Sequence, residues 1–453
     1  MSIKKSISFT FGAQIINTVI AFISSIIVTR LLGAEGRGEY AIFTNSIAFG
    51  VLFFGFSISS TIPYFINSGK AKAEELLTTI IIFSLISAVL VYYTLFLLES
   101  TGKLHWALPG SIKSFQYKLI FTGIYLNTLL CGVLSTCLVT FKRFKEVSLY
   151  NVSFQVLPLF IYLLLYFKII PADYTRPFNN LVIVTAIISL ISIIAIALLF
   201  LKLMPIRPVK KVIPFGLIKQ FIFFSSMAYV GNVFQFFSYK LDFWIVDAYD
   251  RKKVLGIYSL AVQLSQLLWI LPQSLANVLY SYASRGKEEE ALYVTLILKK
   301  IAFYGSLMFG TIGLVLSWFF IPVLYGKEFT PVVNLMLIFL VGIIPFSIPT
   351  ILASFFAARG LFKSSFYVAI SVSLVTICFY FILIPTYGAT GAAVASVFSY
   401  LTSTIIFEYL MYKRYGINPL SSLKFNKTTL SDTKKLLKQK DLVIYEKDFK
   451  SAL

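Results

Sequence analysis

Residues 180–201 read NLVIVTAIISLISIIAIALLFL, a run with no charged side chain that stops at Lys202. A helix needs about 20 apolar residues to cross a hydrocarbon core of roughly 30 Å, and this run supplies them. Eleven further stretches read the same way, at 7–29, 41–66, 78–98, 119–141, 149–170, 220–247, 254–282, 300–324, 331–357, 365–385 and 389–412. Some hold glycine or proline, such as Gly50, Gly55 and Pro63, or Pro345 and Pro349. Membrane helices tolerate these where neighbouring helices satisfy the freed backbone groups. The first run is too long for the core of a signal peptide and ends in Thr29-Arg30 with no small-residue cleavage site, so it is expected to be retained. The pattern predicts an all-α membrane protein with twelve transmembrane helices.

Composition agrees. Of 453 residues, 58% are hydrophobic, 17% aromatic and 13% charged, with mean hydropathy +0.85. Soluble chains carry about 25% charged residues, so soluble enzymes, disordered regulators and disulfide scaffolds are excluded. Cys131, Cys137 and Cys378 lie in apolar runs and read as packing thiols. The net charge of +21 would suggest nucleic acid only if it formed a contiguous surface. Instead it is spread over loops. With twelve spans both termini share one face, and that face collects 28 basic residues against 11 on the other, with Lys240 left inside a span. Without the tail the bias is still 18 to 11. The positive-inside rule makes the richer face, and both termini, cytoplasmic. No nucleic-acid partner is expected.

The halves repeat weakly. Gly38-Glu39-Tyr40 and Gly256-Ile257-Tyr258 open the second and eighth spans 218 residues apart; the same offset sets Gln14 over Asn232 and Asn17 over Gln235. Ile170-Pro171 and Ile384-Pro385 are 214 apart. Six spans per half is even, so the halves share an orientation, as in transporters built from parallel repeats. The expected organisation is a six-helix lobe at 1–201, a cytoplasmic linker at 202–219, a second six-helix lobe at 220–412 and a basic cytoplasmic tail at 413–453, with the lobes facing a central cavity.

Polar side chains in apolar helices mark candidate cavity walls. Thr10, Gln14, Asn17 and Ser24 recur at helical spacing in the first span; Ser225, Asn232, Gln235, Tyr239 and Asp242 in the seventh; Ser259, Gln263, Gln266, Gln273 and Asn277 in the eighth. Any one could serve only as interhelical glue; three stripes on central helices predict a hydrated path. Lys240 and Asp242 are ionisable groups inside a span, each a functional hypothesis by default. The plainer alternative is snorkelling near the outer boundary. Arg30 ends the first span at the outer face.

Several chemistries are absent from the sequence. His105 is the one histidine, so no His-based metal cluster or triad is available. There is no G-x-x-x-x-G-K-[ST] phosphate loop for ATP. The longest external loop, 101–117, is too short for a catalytic domain, and the external acids Glu35, Glu39, Asp173, Asp250 and Glu328 are scattered. No enzyme, cofactor or metal is expected. Glu288-Glu289-Glu290 reads as a solvated face, and Ser431-Asp432-Thr433 as a cap in a flexible tail lying on the anionic inner leaflet.

Thr29-Arg30-Leu31-Leu32-Gly33-Ala34-Glu35-Gly36-Arg37-Gly38-Glu39-Tyr40 resembles the R-x-L-G-x-E-x-x-G-x-Y segment after the first helix of Wzx-type polysaccharide flippases, members of the multidrug/oligosaccharidyl-lipid/polysaccharide (MOP) exporter superfamily. Phe141-Lys142-Arg143-Phe144 running into Tyr150-Asn151 is similar to their turn before the fifth helix. Lys240-Leu241-Asp242, with Gly256-Ile257-Tyr258-Ser259-Leu260-Ala261 and Pro272, resembles their seventh and eighth helices. Ile384-Pro385-Thr386-Tyr387-Gly388-Ala389-Thr390-Gly391-Ala392-Ala393 is similar to their last connection. The likeness covers about residues 5–412; Ala34 stands where the family often has proline.

The resemblance implies a MATE-like, two-lobed flippase in a bacterial inner membrane. It would move undecaprenyl-diphosphate-linked oligosaccharide repeat units, for lipopolysaccharide or capsule, from the inner to the outer leaflet. Gln14, Asn17, Asn232, Gln235, Gln263 and Gln266 would then face the sugar, and Arg30 and Lys240 the diphosphate. Without a nucleotide site an H⁺ or Na⁺ gradient would drive the cycle, with Asp242 as coupling carboxylate and rocking of 1–201 against 220–412. Membrane lipids, a polysaccharide polymerase and a chain-length regulator are the further candidate partners. A drug or metabolite exporter of the same superfamily and a membrane polysaccharide polymerase are the alternative readings.

Overall fold

The computed structural model describes residues 3–104, 115–170, 175–204, 209, 212–284, 287–419 and 421–424. His105, Asp173, part of the expected linker and the tail beyond residue 424, with Ser431-Asp432-Thr433, lie outside the described residues. The helices are α1 Ile3–Gly55, α2 Ile62–Asn67, α3 Ala73–Ser100, α4 Phe115–Thr140, α5 Phe144–Tyr166, α6 Pro177–Leu203, α7 Phe215–Tyr249, α8 Lys252–Gln266, α9 Ile270–Ala283, α10 Glu288–Leu324, α11 Val332–Ala358 and α12 Phe362–Tyr415. A 3-10 turn at Leu267–Trp269 joins α8 to α9, giving a continuous rod from Lys252 to Ala283. Ten helical rods among the described residues are long and apolar enough to cross a membrane.

Two of them are far longer than a crossing requires. α1 has 53 residues and α12 has 54. Each is broken at one glycine: Gly33 (φ 64°, ψ −175°) and Gly388 (φ 55°, ψ −135°). These are backbone regions open essentially to glycine alone. The sequence predicts connections between spans at both places, and the chain makes them as single-residue breaks between helical segments. Side chains secure both. The buried Arg37 donates through Nη1 to Thr29 Oγ1 across the first break. At the second, Asp250 Oδ2 accepts from the Ala389 N–H at 3.1 Å, and a methyl at position 388 would collide with that carboxylate. A third interruption, absent from the predicted span 41–66, ends α1 at Gly55. The chain passes through Phe56 and Ser57 and a 3-10 turn at Ile58–Ser60 before α2 begins.

The chain divides into two compact units, Met1–Phe236 and Phe237–Leu453, the boundary falling inside α7. In the first, α1 packs on α5 and α4 on α6. Phe43 of α1 meets Phe121 of α4 and Phe178 of α6 edge-on, at 5.8 and 6.1 Å between centroids. Tyr125 of α4 donates to Ser87 Oγ of α3 at 2.9 Å. The outward face of α6 shows why the helices lack a polar side. Ile187, Leu190, Ile194, Leu198 and Leu201, on one stripe, are all 50% exposed or more, whereas Ser189, Ser192 and Ile196 are buried. A helix apolar on its exposed face is soluble only in lipid.

In the second unit α11 packs on α10, α12 and α9. A buried ion pair joins Lys299 of α10 to Glu408 of α12. Lys299 Nζ also donates to Ser422 Oγ at 2.7 Å, and Tyr304 OH to the Leu423 carbonyl at 3.0 Å. Residues 421–424 therefore pack on α10, with Ile417 and Ser422 buried. The first part of the expected tail is ordered packing against this unit.

Two expectations follow. Gly33→Ala and Gly388→Ala should each cost about 1–3 kcal/mol of stability, through a backbone region closed to a Cβ, whereas Gly12→Ala, whose Cβ meets nothing within 4 Å, should not destabilise. Thermal melts in detergent measure this. Glu408→Ala should cost about 3–5 kcal/mol by leaving the Lys299 ammonium buried without its counter-ion. The double variant Lys299→Met, Glu408→Leu should recover most of that loss.

Candidate ion and substrate sites

Asp242 lies seven residues before the end of α7 and is 2% exposed. A carboxylate there needs partners, since an unpaired buried charge is costly. Tyr258 of α8 provides one: its hydroxyl donates to Asp242 Oδ2. The other oxygen, Oδ1, has no hydrogen-bond partner among the described residues. In the same unit, Ser238 of α7 donates to Ser373 Oγ at 2.7 Å, and Tyr380 OH donates to the Ser238 carbonyl at 2.9 Å. Tyr380 OH also lies 3.3 Å from Ser396 Oγ, and Thr376 donates to Ser399 Oγ at 2.7 Å. Ser373, Thr376 and Tyr380 follow one another at helical spacing on the first segment of α12, and Ser396 and Ser399 on its second. The result is a buried carboxylate with one open oxygen in a unit whose α7, α8 and α12 are stitched by hydroxyls. Such an arrangement can hold a proton on Oδ1 or coordinate a small monovalent cation, whose preferred ligands are oxygens.

Lys240 is half-buried and does not ion-pair with Asp242 among the described residues; its ammonium lies 5.1 Å from the centre of the Phe243 ring. Two residues apart on a helix, the two side chains leave in directions about 200° apart. Gln263 and Gln266 are half-buried on α8.

The remaining predicted residues belong to the first unit. Gln14 is exposed on α1 and Asn17 half-buried, its Oδ1 enclosed without a hydrogen-bond partner among the described residues. Arg30 is exposed three residues before the Gly33 break, and Gln235 is exposed on α7. Asn232 donates through Nδ2 to Ser57 Oγ at 3.0 Å, next to the interruption after Gly55. Ser225 Oγ and Thr61 Oγ1 lie 3.2 Å apart beside it.

The predicted polar stripes leave out Tyr258, Ser238, Ser373, Thr376, Tyr380, Ser396 and Ser399. The signal was present: hydroxyls at i, i+3 and i+7 in an apolar helix, and a tyrosine in the repeated Gly-x-Tyr. In the first half the corresponding Tyr40 bonds the Tyr162 hydroxyl of α5 instead of a carboxylate. The two Gly-x-Tyr tyrosines thus have different partners, Tyr162 for Tyr40 and Asp242 for Tyr258. No group of three or more His, Cys, Asp or Glu side chains able to hold a metal occurs among the described residues.

Comparison with known proteins fits this architecture. Residues 3–287 match the family of polysaccharide biosynthesis proteins. The capsular polysaccharide biosynthesis protein CapF of Staphylococcus aureus is 21% identical over 424 residues, which are 90% of this chain and 99% of CapF. Lipid II flippase MurJ, in an inward closed conformation, superposes with a TM-score of 0.66 at 16% identity, over 96% of this chain and 94% of MurJ. An inward-facing multidrug resistance MATE family transporter of the MOP superfamily superposes with a TM-score of 0.63 at 16% identity, over 88% and 94%. The structural likeness gives the fold, and the match over well more than half the chain gives the family: this multi-pass membrane protein belongs to the polysaccharide biosynthesis proteins.

Proposed function

We propose that the chain is an ion-coupled flippase for undecaprenyl-diphosphate-linked oligosaccharide repeat units, carrying them from the inner to the outer leaflet of a bacterial cell membrane. The observation that carries the reading is Asp242, a carboxylate enclosed in an apolar helix, bonded on one oxygen by Tyr258 and open on the other. A buried acid of this kind is expensive in a membrane and is retained where its protonation or cation occupancy is used. The name of the relative CapF supports a saccharide in the cargo; that of MurJ supports lipid linkage.

In this reading the chain crosses the membrane twelve times, the broken helices α1 and α12 counting twice, with both termini in the cytoplasm. Six-helix lobes at 1–201 and 220–412, joined by the linker 202–219, rock between inward- and outward-facing states. Arg30 and Lys240 meet the diphosphate by charge-assisted hydrogen bonds. Gln14, Asn17, Asn232, Gln235, Gln263 and Gln266 present amides to the sugar. Occupancy of Asp242 by H⁺ or Na⁺ biases one state over the other, and a ligand shifts such an equilibrium only by its differential affinity for the two states. A polymerase and a chain-length regulator would receive the product. A drug exporter with the same fold would move an amphipathic cation with no polyprenyl carrier.

Asp242→Asn keeps an acceptor for the Tyr258 hydroxyl but removes the titratable charge. In vesicles loaded with lipid-linked saccharide, this variant should retain the wild-type melting temperature and lose gradient-driven translocation by at least about tenfold, roughly 1.4 kcal/mol of coupling. Translocation at the wild-type rate with undiminished gradient dependence would remove Asp242 from the mechanism. On a background lacking Cys131, Cys137 and Cys378, a single cysteine at position 142 should react with an impermeant thiol reagent only from the cytoplasmic side, and one at position 251 only from outside. The reverse pattern would invert the topology.

A further inference from the structure

The interruption after Gly55 occurs in the middle of an apolar stretch, where an unbroken helix would satisfy every backbone group. Phe56 and Ser57 both have positive φ, 51° and 52°. Neither is glycine, and such conformations cost of order 1–3 kcal/mol each unless the surroundings hold them. Gly55 itself is pressed against α4, where a Cβ would come within 2.9 Å of Leu129 Cδ1. Ending α1 here leaves carbonyls of its last turn without intrahelical donors. The next backbone bonds run i to i+3, from Ser60 N–H to the Ser57 carbonyl at 3.0 Å and from Thr61 N–H to the Ile58 carbonyl at 3.1 Å. Irregular backbone at membrane depth persists only where protein buries it or where it lines a water-filled cavity.

The first half of α7 carries the side chains that face this break. Asn232 Nδ2 donates to Ser57 Oγ at 3.0 Å, and Ser225 and Thr61 approach through their hydroxyls. The Tyr229 ring stacks on Phe56 at 4.8 Å and 27°, and meets Phe53 at 6.4 Å. Phe53 stacks in turn on Phe49 at 5.4 Å and remains 48% exposed. Between Tyr229 and Asn232 sits Gly231, where a Cβ would meet nothing within 4 Å, so the helix leaves a notch. The Tyr229 hydroxyl and Asn232 Oδ1 have no protein partner among the described residues. Asn232, Ser57, Thr61, Ser225 and Tyr229 bear no charge at neutral pH. Uncharged hydroxyls, an amide with a spare acceptor, backbone carbonyls and flat aromatic faces beside a notch are not a set that selects an ion. They match a ring with one apolar C–H face and a rim of hydroxyls.

We propose that the break at Gly55–Thr61 and the Tyr229–Asn232 stretch of α7 form a pyranose-binding subsite that takes the sugar next to the diphosphate. The aromatic rings carry the C–H face of the sugar, and Asn232, Ser57 and the free carbonyls receive its hydroxyls. The strained Phe56–Ser57 backbone positions those acceptors. This inference rests on the flippase reading.

Binding to the full-length protein in lipid nanodiscs tests it with two probes, undecaprenyl diphosphate and undecaprenyl diphosphate bearing one N-acetylhexosamine. The wild type should bind the sugar-bearing carrier about tenfold more tightly than the bare one, an increment of roughly 1.4 kcal/mol. Tyr229→Ala and Asn232→Ala should erase that increment and leave the dissociation constant of the bare carrier unchanged. Tyr229→Phe, which keeps the stack, should retain most of the preference; if the alanine variant does not fold, Tyr229→Leu, which removes the ring and keeps apolar bulk, replaces it and should erase the increment. A sugar preference that survives in both Tyr229→Ala and Asn232→Ala overturns the subsite, as does a wild type with equal affinity for the two probes. Failure of the wild type to bind either carrier overturns the flippase reading along with it.

Discussion

Every backbone N–H and C=O that enters the hydrocarbon must find its partner inside the protein, and the structure is organised around that demand. It explains why the described regular structure is helical and why each departure from a helix is secured. At Gly388 the carboxylate of Asp250 receives the Ala389 N–H. At Gly33 the flanking segments are held by Arg37 on Thr29. After Gly55, 3-10 bonds take up the carbonyls of Ser57 and Ile58, and Asn232 holds the Ser57 hydroxyl. A soluble protein could leave the same groups to water; at Gly388 a carboxylate 139 residues before Ala389 takes that place.

The same solvent inverts the usual distribution of polarity. Lipid-facing surfaces such as the Ile187–Leu201 stripe of α6 are apolar, and the polar groups turn inward, where they have to be paired. In the second unit this yields two buried carboxylates with different fates. Glu408 meets the ammonium of Lys299, backed by Ser422, and ties α10 to α12. Asp242 takes a tyrosine hydroxyl on one oxygen, and its other oxygen has no hydrogen-bond partner among the described residues. Compensation at the first and its incompleteness at the second separate a structural pair from a candidate coupling site.

How far the sequence reveals this differs by residue. Lys240 and Asp242 stood out because a charge in an apolar run is a local anomaly. Tyr258 did not: a tyrosine at the start of a helix is ordinary until a carboxylate 16 residues earlier is folded against it. The end of α1 at Gly55 was hidden for another reason. The run 41–66 is apolar throughout its middle, and hydropathy measures the surroundings a segment prefers, not whether its backbone is bent. The residues of the polar stripes meet different surroundings. Asn232 bonds Ser57, whereas Gln14 and Gln235, of the same chemical type, are exposed.

The sequence by itself determined the solvent of this protein, the places where helices had to form and the glycines at which two of them could turn. These are properties of a residue and its near neighbours: transfer free energy sums along a span, and only glycine enters the φ and ψ of Gly33 and Gly388. Tertiary structure alone decided which buried charge is neutralised, which is left with an open oxygen, and where a helix stops short against a neighbour. Those outcomes depend on contacts between residues as far apart as Ser57 and Asn232 or Lys299 and Glu408. No spacing in the chain encodes such distances until packing sets them.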